Sequence, residues 1–217
     1  MNNKHSKLLL VFVFLIAGIN LPAFAFEPQR AAPELLDQLK TGGYVLYIRH
    51  GHTDSSIPDQ VPVSLDDCAT QRPLTAKGHQ QMQQLGQALT RLQLPLDPII
   101  SSPFCRTLDS TEAAFPTTGY QVEELLMYTA ALTSEEKEPV IARTLGLISK
   151  PQPEGSNRAL VAHAPNLAEL IDYFPPEGSL VIFKPLGDGN FQYLGSIYPD
   201  DWPRLLKAKG LADDNQP

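Results

Sequence analysis

Three short apolar runs, each ending in polar residues and followed by a helical pattern, limit the folds open to this chain. The runs are GYVLYIR at 43–49, DPIISS at 97–102 and RALVAH at 158–163. Their apolar cores do not alternate with polar residues, which is typical of strands buried on both faces of a parallel sheet. Strands that alternate with helices predict a mainly parallel sheet with helices on both faces.

The C-terminal third predicts a different kind of strand pairing. GSLVIFKP at 178–185 and NFQYLGSIY at 190–198 are joined by a Gly-Asp-Gly turn, which is typical of a β-hairpin. Helical patterns occupy the segments 33–40, 74–94, 106–115, 133–148 and 166–174. We therefore expect an α/β fold, a three-layer α/β/α sandwich whose mainly parallel sheet carries an antiparallel C-terminal edge hairpin.

Residues 1–25 have the pattern of a secretory signal peptide. Lys4 and Lys7 precede an apolar run of twelve residues, and Ala23 and Ala25 form a small-residue cleavage site. The run is shorter than the roughly 20 residues that cross a bilayer. We expect cleavage after Ala25. The remaining residues, 26–217, should form a single domain with no membrane span, located in the periplasm or secreted.

Charge and residue spacing exclude several kinds of partner. Residues 26–217 hold all 24 acidic residues and 15 of the 17 Lys and Arg, which gives a formal charge of −9. Nucleic-acid binding is not expected, because it needs clustered cations. No Cys/His spacing resembles a zinc site, so neither a metal nor another cofactor is expected. The oligomeric state is not indicated by the sequence.

Cations and imidazoles follow the three predicted parallel strands. Arg49 and His50 end the first, Arg106 follows the second, and His163 ends the third. The carboxyl ends of parallel strands share one edge of the sheet, where such folds place their sites. Two guanidiniums suit a phosphate monoester, and a neutral imidazole can attack phosphorus while its second nitrogen donates to a backbone carbonyl.

These segments also resemble a known family. RHGHT at 49–53, RPLTAKGHQQ at 72–81, SSPFCRT at 101–107 and VAHAPNL at 161–167 are similar to the histidine phosphatase superfamily, the phosphoglycerate-mutase-like proteins. HAPNL most resembles the small phosphohistidine-phosphatase-like branch. The resemblance implies an α/β sandwich and a phosphohistidine intermediate, with His50 as the nucleophile and Arg49, Arg106 and His163 as the phosphate pocket.

The neighbours of these residues suggest further roles. Gly51 gives room for close approach of a ligand. His52 is a candidate substrate-binding residue that could equally be a solvated side chain. Thr53 is also a candidate at the mouth of the pocket, although a cap or a solvated loop position is its favoured role. The resemblance implies an acid near Met127 or at Ala164, and neither residue is one. Glu123 and Glu124 are the candidate acids for the leaving group, because by the register of VEELLMY at 122–128 they lie just past the family's third strand.

Cys68 and Cys105 are the two cysteines. In an exported chain an even pair favours a disulfide, and both cysteines should lie at the edge of the sheet that holds the site. Two free thiols are the alternative.

The sequence favours a phosphoric monoester hydrolase similar to histidine acid phosphatases, acting without metal on a small phosphorylated substrate. A catalytically weak or silent phosphate-binding or regulatory protein on the same scaffold is the alternative. A phosphoryl-transferring mutase fits less well, because the chain has little inserted sequence from which to build a lid that excludes water.

Overall fold

The computed structural model describes residues 26–212. The predicted signal peptide, residues 1–25, lies outside the described residues. In the described part of the chain, no helix is both long enough and apolar enough to span a bilayer.

One sheet of six strands organises residues 26–212, in the order β3-β2-β4-β1-β5-β6. The strands are β1 (Val45–Arg49), β2 (Leu96–Ser101), β3 (Gln121–Val122), β4 (Asn157–Ala162), β5 (Leu180–Gly187) and β6 (Asn190–Ile197). β1, β2, β3 and β4 are parallel to their neighbours within this group, whereas β5 is antiparallel to β1 and β6 to β5. The predicted mainly parallel sheet with an antiparallel edge hairpin is confirmed.

Helices cover both faces of the sheet. They are α1 (Pro33–Leu39), α2 (Ala76–Arg91), α3 (Cys105–Ala114), α4 (Ser134–Ser149), α5 (Ala164–Ile171) and α6 (Trp202–Ala208). In β1, Leu46 and Ile48 pack into a core with α1, α2 and α6, while Val45 and Tyr47 pack into a second core with α4 and α5. The period of two along a strand thus divides one apolar run between two layers of helices.

The sequence determines where two of the helices begin. The Thr75 hydroxyl accepts from the Gly78 amide at the start of α2, and Thr133 forms a reciprocal capping box with Glu136 at the start of α4. Such caps satisfy amides that have no partner within the helix. Along α2 the predicted apolar face, Met82, Leu85, Leu89 and Leu92, is buried.

Two features differ from the sequence-based expectation. The pattern at 166–174 predicts a helix to Phe174, but α5 ends at Ile171 because Asp172 adopts a left-handed conformation with φ of 54°. The sheet also gains the two-residue strand β3, whose length is below what periodicity can detect.

Candidate active site

The three strand ends that carry cations and imidazoles lie side by side. β4 lies between β1 and β2, so His163 at the end of β4 separates His50 after β1 from Arg106 after β2. The ring centroids of His50 and His163 are 5.4 Å apart. The structure therefore brings together Arg49, His50, Arg106 and His163.

His50 is buried with one nitrogen fixed. Its Nδ1 lies 2.9 Å from the carbonyl oxygen of Gly51 and must donate to it, which leaves Nε2 unprotonated in the neutral ring. Burial lowers the pKa of His50 well below its ordinary value, and the charges of Arg106 and Arg49 lower it further. The side chain is thus a neutral imidazole with a free lone pair on Nε2.

His163 has the opposite tautomer. Its Nε2 lies 2.8 Å from the Ser102 hydroxyl, which also accepts a long bond from the Phe104 amide. In the described part of the chain the Ser102 hydroxyl has no acceptor other than Nε2, so its proton is assigned to that bond and the ring proton of His163 to Nδ1. Burial, followed by the charge of Arg106, lowers the pKa of His163 well below its ordinary value. Nδ1 is therefore a buried donor with no partner among the described residues.

Arg106 lies in the first turn of α3 and is fully buried. One terminal nitrogen donates to Asp59 Oδ1 at 2.9 Å, and the guanidinium lies over the rings of Phe104 and Tyr128, 4.5 and 5.0 Å from their centroids. Burial lowers the pKa of Arg106, an effect that Asp59 opposes, but a guanidinium remains charged. Nε and the second terminal nitrogen have no partner within residues 26–212.

Two further arginines face the same space. Arg49 donates to the carbonyl of Pro175 at 2.6 Å and lies 3.6 Å from Glu177 Oε1, while its Nε is unpartnered in the described structure. Arg72 is the second, and its charge lowers the pKa values of both His50 and His163. Its buried Nε likewise has no partner among the described residues.

The pocket is thus rich in donors and positively charged. Five of its buried nitrogens lack protein partners within residues 26–212: Nε of Arg49, Arg72 and Arg106, Nη2 of Arg106, and Nδ1 of His163. Buried donors are almost always satisfied, so a cluster of free ones indicates a site for an acceptor that is not part of the protein. Three guanidiniums against the two carboxylates that contact them leave one net positive charge, which favours an anion with several oxygens.

The other predicted site residues have mixed positions. The Thr53 hydroxyl donates to Glu177 Oε1 at 2.6 Å, so Thr53 orients the carboxylate beside Arg49. His52 Nδ1 bonds to the Thr75 hydroxyl that caps α2. The roles of Thr53 and His52 in substrate binding stay predictions.

Gly51 requires a correction. The sequence suggested that it makes room for a ligand, but a Cβ added at Gly51 would lie 2.6 Å from the carbonyl oxygen of Gly78. The room is therefore filled by the first turn of α2, which packs directly on the His50 loop. Glycine is required here for the contact between two backbones.

The structure does not bring Glu123 or Glu124 to the pocket. Glu123 follows β3, three strands from β1, which corresponds to about 14 Å across the sheet. Its carboxylate accepts from Arg143 at 2.5 and 2.7 Å and from the Leu125 amide. Glu124 is exposed on the short 3-10 helix Glu124–Leu126. A chain position just past a strand does not determine which way its side chain points.

Sequence reasoning missed Asp59, Ser102 and Glu177, which hold the arginines and His163 in position. Asp59 and Glu177 lie in irregular loops that give no periodic signal, and they approach the site only through the tertiary fold. Ser102 follows the second apolar run directly, so its place at the sheet edge could have been inferred.

The Cys68–Cys105 disulfide is present, with the Cα atoms 5.7 Å apart. It joins the loop after β1 to the first residue of α3. Beside it the Cys105 amide donates to Gln71 Oε1 at 2.8 Å, and the Arg72 amide donates to Asp59 Oδ1 at 2.7 Å. The disulfide thus holds the segment with Asp59 and Arg72 against Arg106.

Within residues 26–212, His, Cys, Asp and Glu side chains form no group of three or more that could hold a metal ion.

Residues 45–126 match the profile of the histidine phosphatase superfamily (branch 1). The predicted resemblance to this superfamily is confirmed. Among curated proteins, none matches the chain in sequence.

Solved structures share the fold. The protein histidine phosphatase SixA, solved with tungstate, is 16% identical over 73% of this chain and 98% of its own, with a TM-score of 0.50. A candidate alpha-ribazole-5'-P phosphatase from Escherichia coli is 17% identical over 72% of this chain and 97% of its own, with a TM-score of 0.52. At these identities the likeness concerns the fold, which is that of the histidine phosphatases.

Proposed function

We propose that this protein is an exported phosphomonoesterase that works through a phosphohistidine on His50 and needs no metal. The observation that carries the proposal is the pair of buried imidazoles with complementary tautomers among unpartnered arginine donors. Nδ1 of His50 is held by the Gly51 carbonyl, so its Nε2 is the nucleophile. Nδ1 of His163 is a donor, so it can bind a phosphate oxygen.

The reaction would have two displacements at phosphorus. In the first, Nε2 of His50 forms a bond to phosphorus while the bond to the ester oxygen breaks, and the alcohol leaves. In the second, water forms a bond to phosphorus while the N–P bond breaks, which releases phosphate and restores the imidazole. A covalent intermediate of this kind divides one difficult step into two easier ones.

The arginines would supply the charge stabilisation. Three guanidiniums with free, buried N–H groups can donate to the three oxygens of the transferring phosphoryl group throughout the reaction. Such preorganised donors are the main source of catalysis in phosphoryl transfer. Metal independence is proposed because fixed cations already perform this task.

The leaving oxygen would take its proton from solvent or from the substrate phosphate. The carboxylate of Glu123 is bound to Arg143, and those of Asp59 and Glu177 contact arginines, so none of the three is free to face the leaving oxygen. The reaction should therefore favour alcohols that are good leaving groups, such as phenols, which need little protonation.

Export is proposed from the N-terminal pattern, and the Cys68–Cys105 disulfide supports it. Disulfides persist in oxidising compartments such as the periplasm and are rare in the cytosol.

One observation favours the alternative, a silent phosphate-binding protein. The carboxylate of Glu123, a candidate acid, is bound to Arg143 and does not serve the pocket. Turnover decides between the two. We expect the purified protein to hydrolyse nitrophenyl phosphate in the presence of EDTA, and His50→Ala to keep less than about a hundredth of that rate.

His79→Ala is the matched control, because His79 is exposed on α2 and should leave the rate unchanged. Tungstate, with which the similar protein histidine phosphatase was solved, should bind the wild type and bind Arg106→Lys more weakly, since an ammonium cannot replace a planar fork. Binding of tungstate without turnover would support the silent protein, and equal rates for His50→Ala and the wild type would exclude His50 as the nucleophile.

A further inference from the structure

An apolar groove opens beside the arginines. We call it the Val61 groove, and its apolar lining includes Val61, Phe104, Met127, Tyr128, Ala131 and Leu132. Its volume is about 240 Å³. Val61 at its rim is 90% exposed, the most exposed of the large hydrophobic side chains in the described structure. A concave apolar surface next to a polar pocket is typical of a small-molecule site.

The groove is continuous with the phosphate pocket. The rings of Phe104 and Tyr128 line the groove and also lie edge-on to His163, with centroids 5.1 and 5.5 Å away. Both rings lie against the Arg106 guanidinium as well. A phosphoryl group bound by Arg106 and His163 would therefore project its ester substituent towards these two rings.

The charges of the groove disfavour a second anion. Among the described residues that line it, none is Lys or Arg, and two are acidic, Asp59 and Glu136. Neither is a free receptor for a cation, because Asp59 is paired with Arg106, and Glu136 accepts from the amide and the hydroxyl of Thr133.

The cations nearest in sequence on α4 are also engaged. Lys137 pairs with Glu169 at 2.6 Å, and Arg143 pairs with Glu123. The groove therefore favours a neutral, apolar substituent, which can contact its apolar lining. It disfavours a carboxylate or a second phosphate, which its acidic residues would repel.

We infer that the substrate is the phosphate ester of a neutral apolar alcohol, whose aryl or alkyl group fills the Val61 groove. This inference rests on the proposed function, since it names the leaving group of that reaction. A cavity of about 150 Å³ can hold benzene, so the groove can take a group of about six to nine carbons. An apolar aryl group would also be the good leaving group that the proposed mechanism favours.

The test uses phosphonates, which bind like phosphates but are not hydrolysed. Binding of methyl-, propyl- and hexylphosphonate to the purified protein would be measured by isothermal titration calorimetry. We expect the dissociation constant to fall about twofold to fourfold for each added methylene, because each buried methylene contributes up to about 0.8 kcal/mol. 2-Carboxyethylphosphonate, similar in length to propylphosphonate but with a second anion, should bind at least tenfold more weakly.

Polar substitutions in the groove should flatten this dependence on length. Leu132→Asn keeps the size of the side chain, and Val61→Thr changes an exposed residue that contributes little to the folded core. Leu186→Asn is the matched control, because Leu186 is 59% exposed on the β5–β6 hairpin and should leave the dependence on length unchanged.

The outcomes separate this inference from the proposed function. A dissociation constant that does not vary with chain length, or tighter binding of the carboxylate compound than of propylphosphonate, would overturn the apolar leaving group even if the protein hydrolyses nitrophenyl phosphate. Length-dependent binding that both substitutions weaken would support the groove even if no ester is turned over. Failure of all phosphonates to bind would contradict the phosphate pocket, and the inference with it.

Discussion

Replacement of Asp59 by Asn should weaken the fold and strengthen anion binding. Asp59 Oδ1 accepts from Arg106 at 2.9 Å and from the Arg72 amide at 2.7 Å. The Asn side-chain oxygen can accept both bonds, so the substitution removes the charge and preserves the geometry. Arg106 has no exposed surface, whereas the Asp59 side chain is 19% exposed, so water can screen only part of this interaction.

The two effects have opposite signs and similar sizes. Without Asp59 the buried guanidinium loses its counter-charge, which should lower the free energy of unfolding of the phosphate-free protein by about 1.5–3 kcal/mol. A tungstate on the free nitrogens of Arg106 would lie about 6 Å from the Asp59 carboxylate, and at an effective dielectric constant of about 20 the repulsion is about 2–3 kcal/mol for each unit of charge. After allowance for screening, we expect tungstate to bind at least tenfold more tightly to Asp59→Asn.

Urea unfolding and calorimetric titration with tungstate measure these effects. Asp66→Asn is the control, because Asp66 is exposed in the same loop and its loss changes the net charge equally. If Asp59→Asn binds tungstate more weakly than the wild type, the charge of Asp59 supports the anion site instead of competing with it, and our electrostatic reasoning is wrong.

Other changes test single contacts. Gly51→Ala should lower the free energy of unfolding by about 1–3 kcal/mol, measured in urea, because its Cβ would lie 2.6 Å from the Gly78 oxygen; unchanged stability would contradict the packing. Loss of the disulfide in Cys68→Ser with Cys105→Ser should cost roughly 4 kcal/mol in the loop-entropy estimate, and reduced wild type should show the same lowered melting temperature. Because folding lowers the pKa values of His50 and His163, the unfolded chain takes up protons that the folded protein does not as pH falls through about 6.5. Stability should therefore fall by about 1 kcal/mol per histidine from pH 6.5 to 5.5, and His50→Asn should show a shallower fall; an equal fall would refute this.

Much of the fold could be predicted because the apolar runs carry a strong signal. Val45–Ile48 form a continuous apolar segment, and the structure buries all four side chains in a central strand. The hairpin followed from a Gly-Asp-Gly turn between two strand patterns. β3 could not be predicted, because two residues form no pattern and the strand exists only through its pairing with β2.

The site was predictable where a residue lies at the end of a strand. Arg49 ends a buried strand, and His50, Arg106 and His163 follow such strands, so topology brings all four to one edge of the sheet. Asp59 and Glu177 reach the arginines from loops, and the direction of Glu123 depends on Arg143, a partner 20 residues away. Such contacts depend on tertiary packing, which local sequence does not encode.

The most direct test of the phosphohistidine proposal is to trap the intermediate. The wild type would be mixed rapidly with nitrophenyl phosphate and quenched in alkali, which preserves phosphohistidine, and its peptides would be sequenced by mass spectrometry. We expect the peptide that contains His50 to be heavier by one phosphoryl group, and the same peptide from protein mixed without substrate to be unmodified. A phosphoryl group found on His163 or another residue, or turnover with no phosphorylated peptide in the first reaction cycle, would contradict the assignment of His50 as the nucleophile.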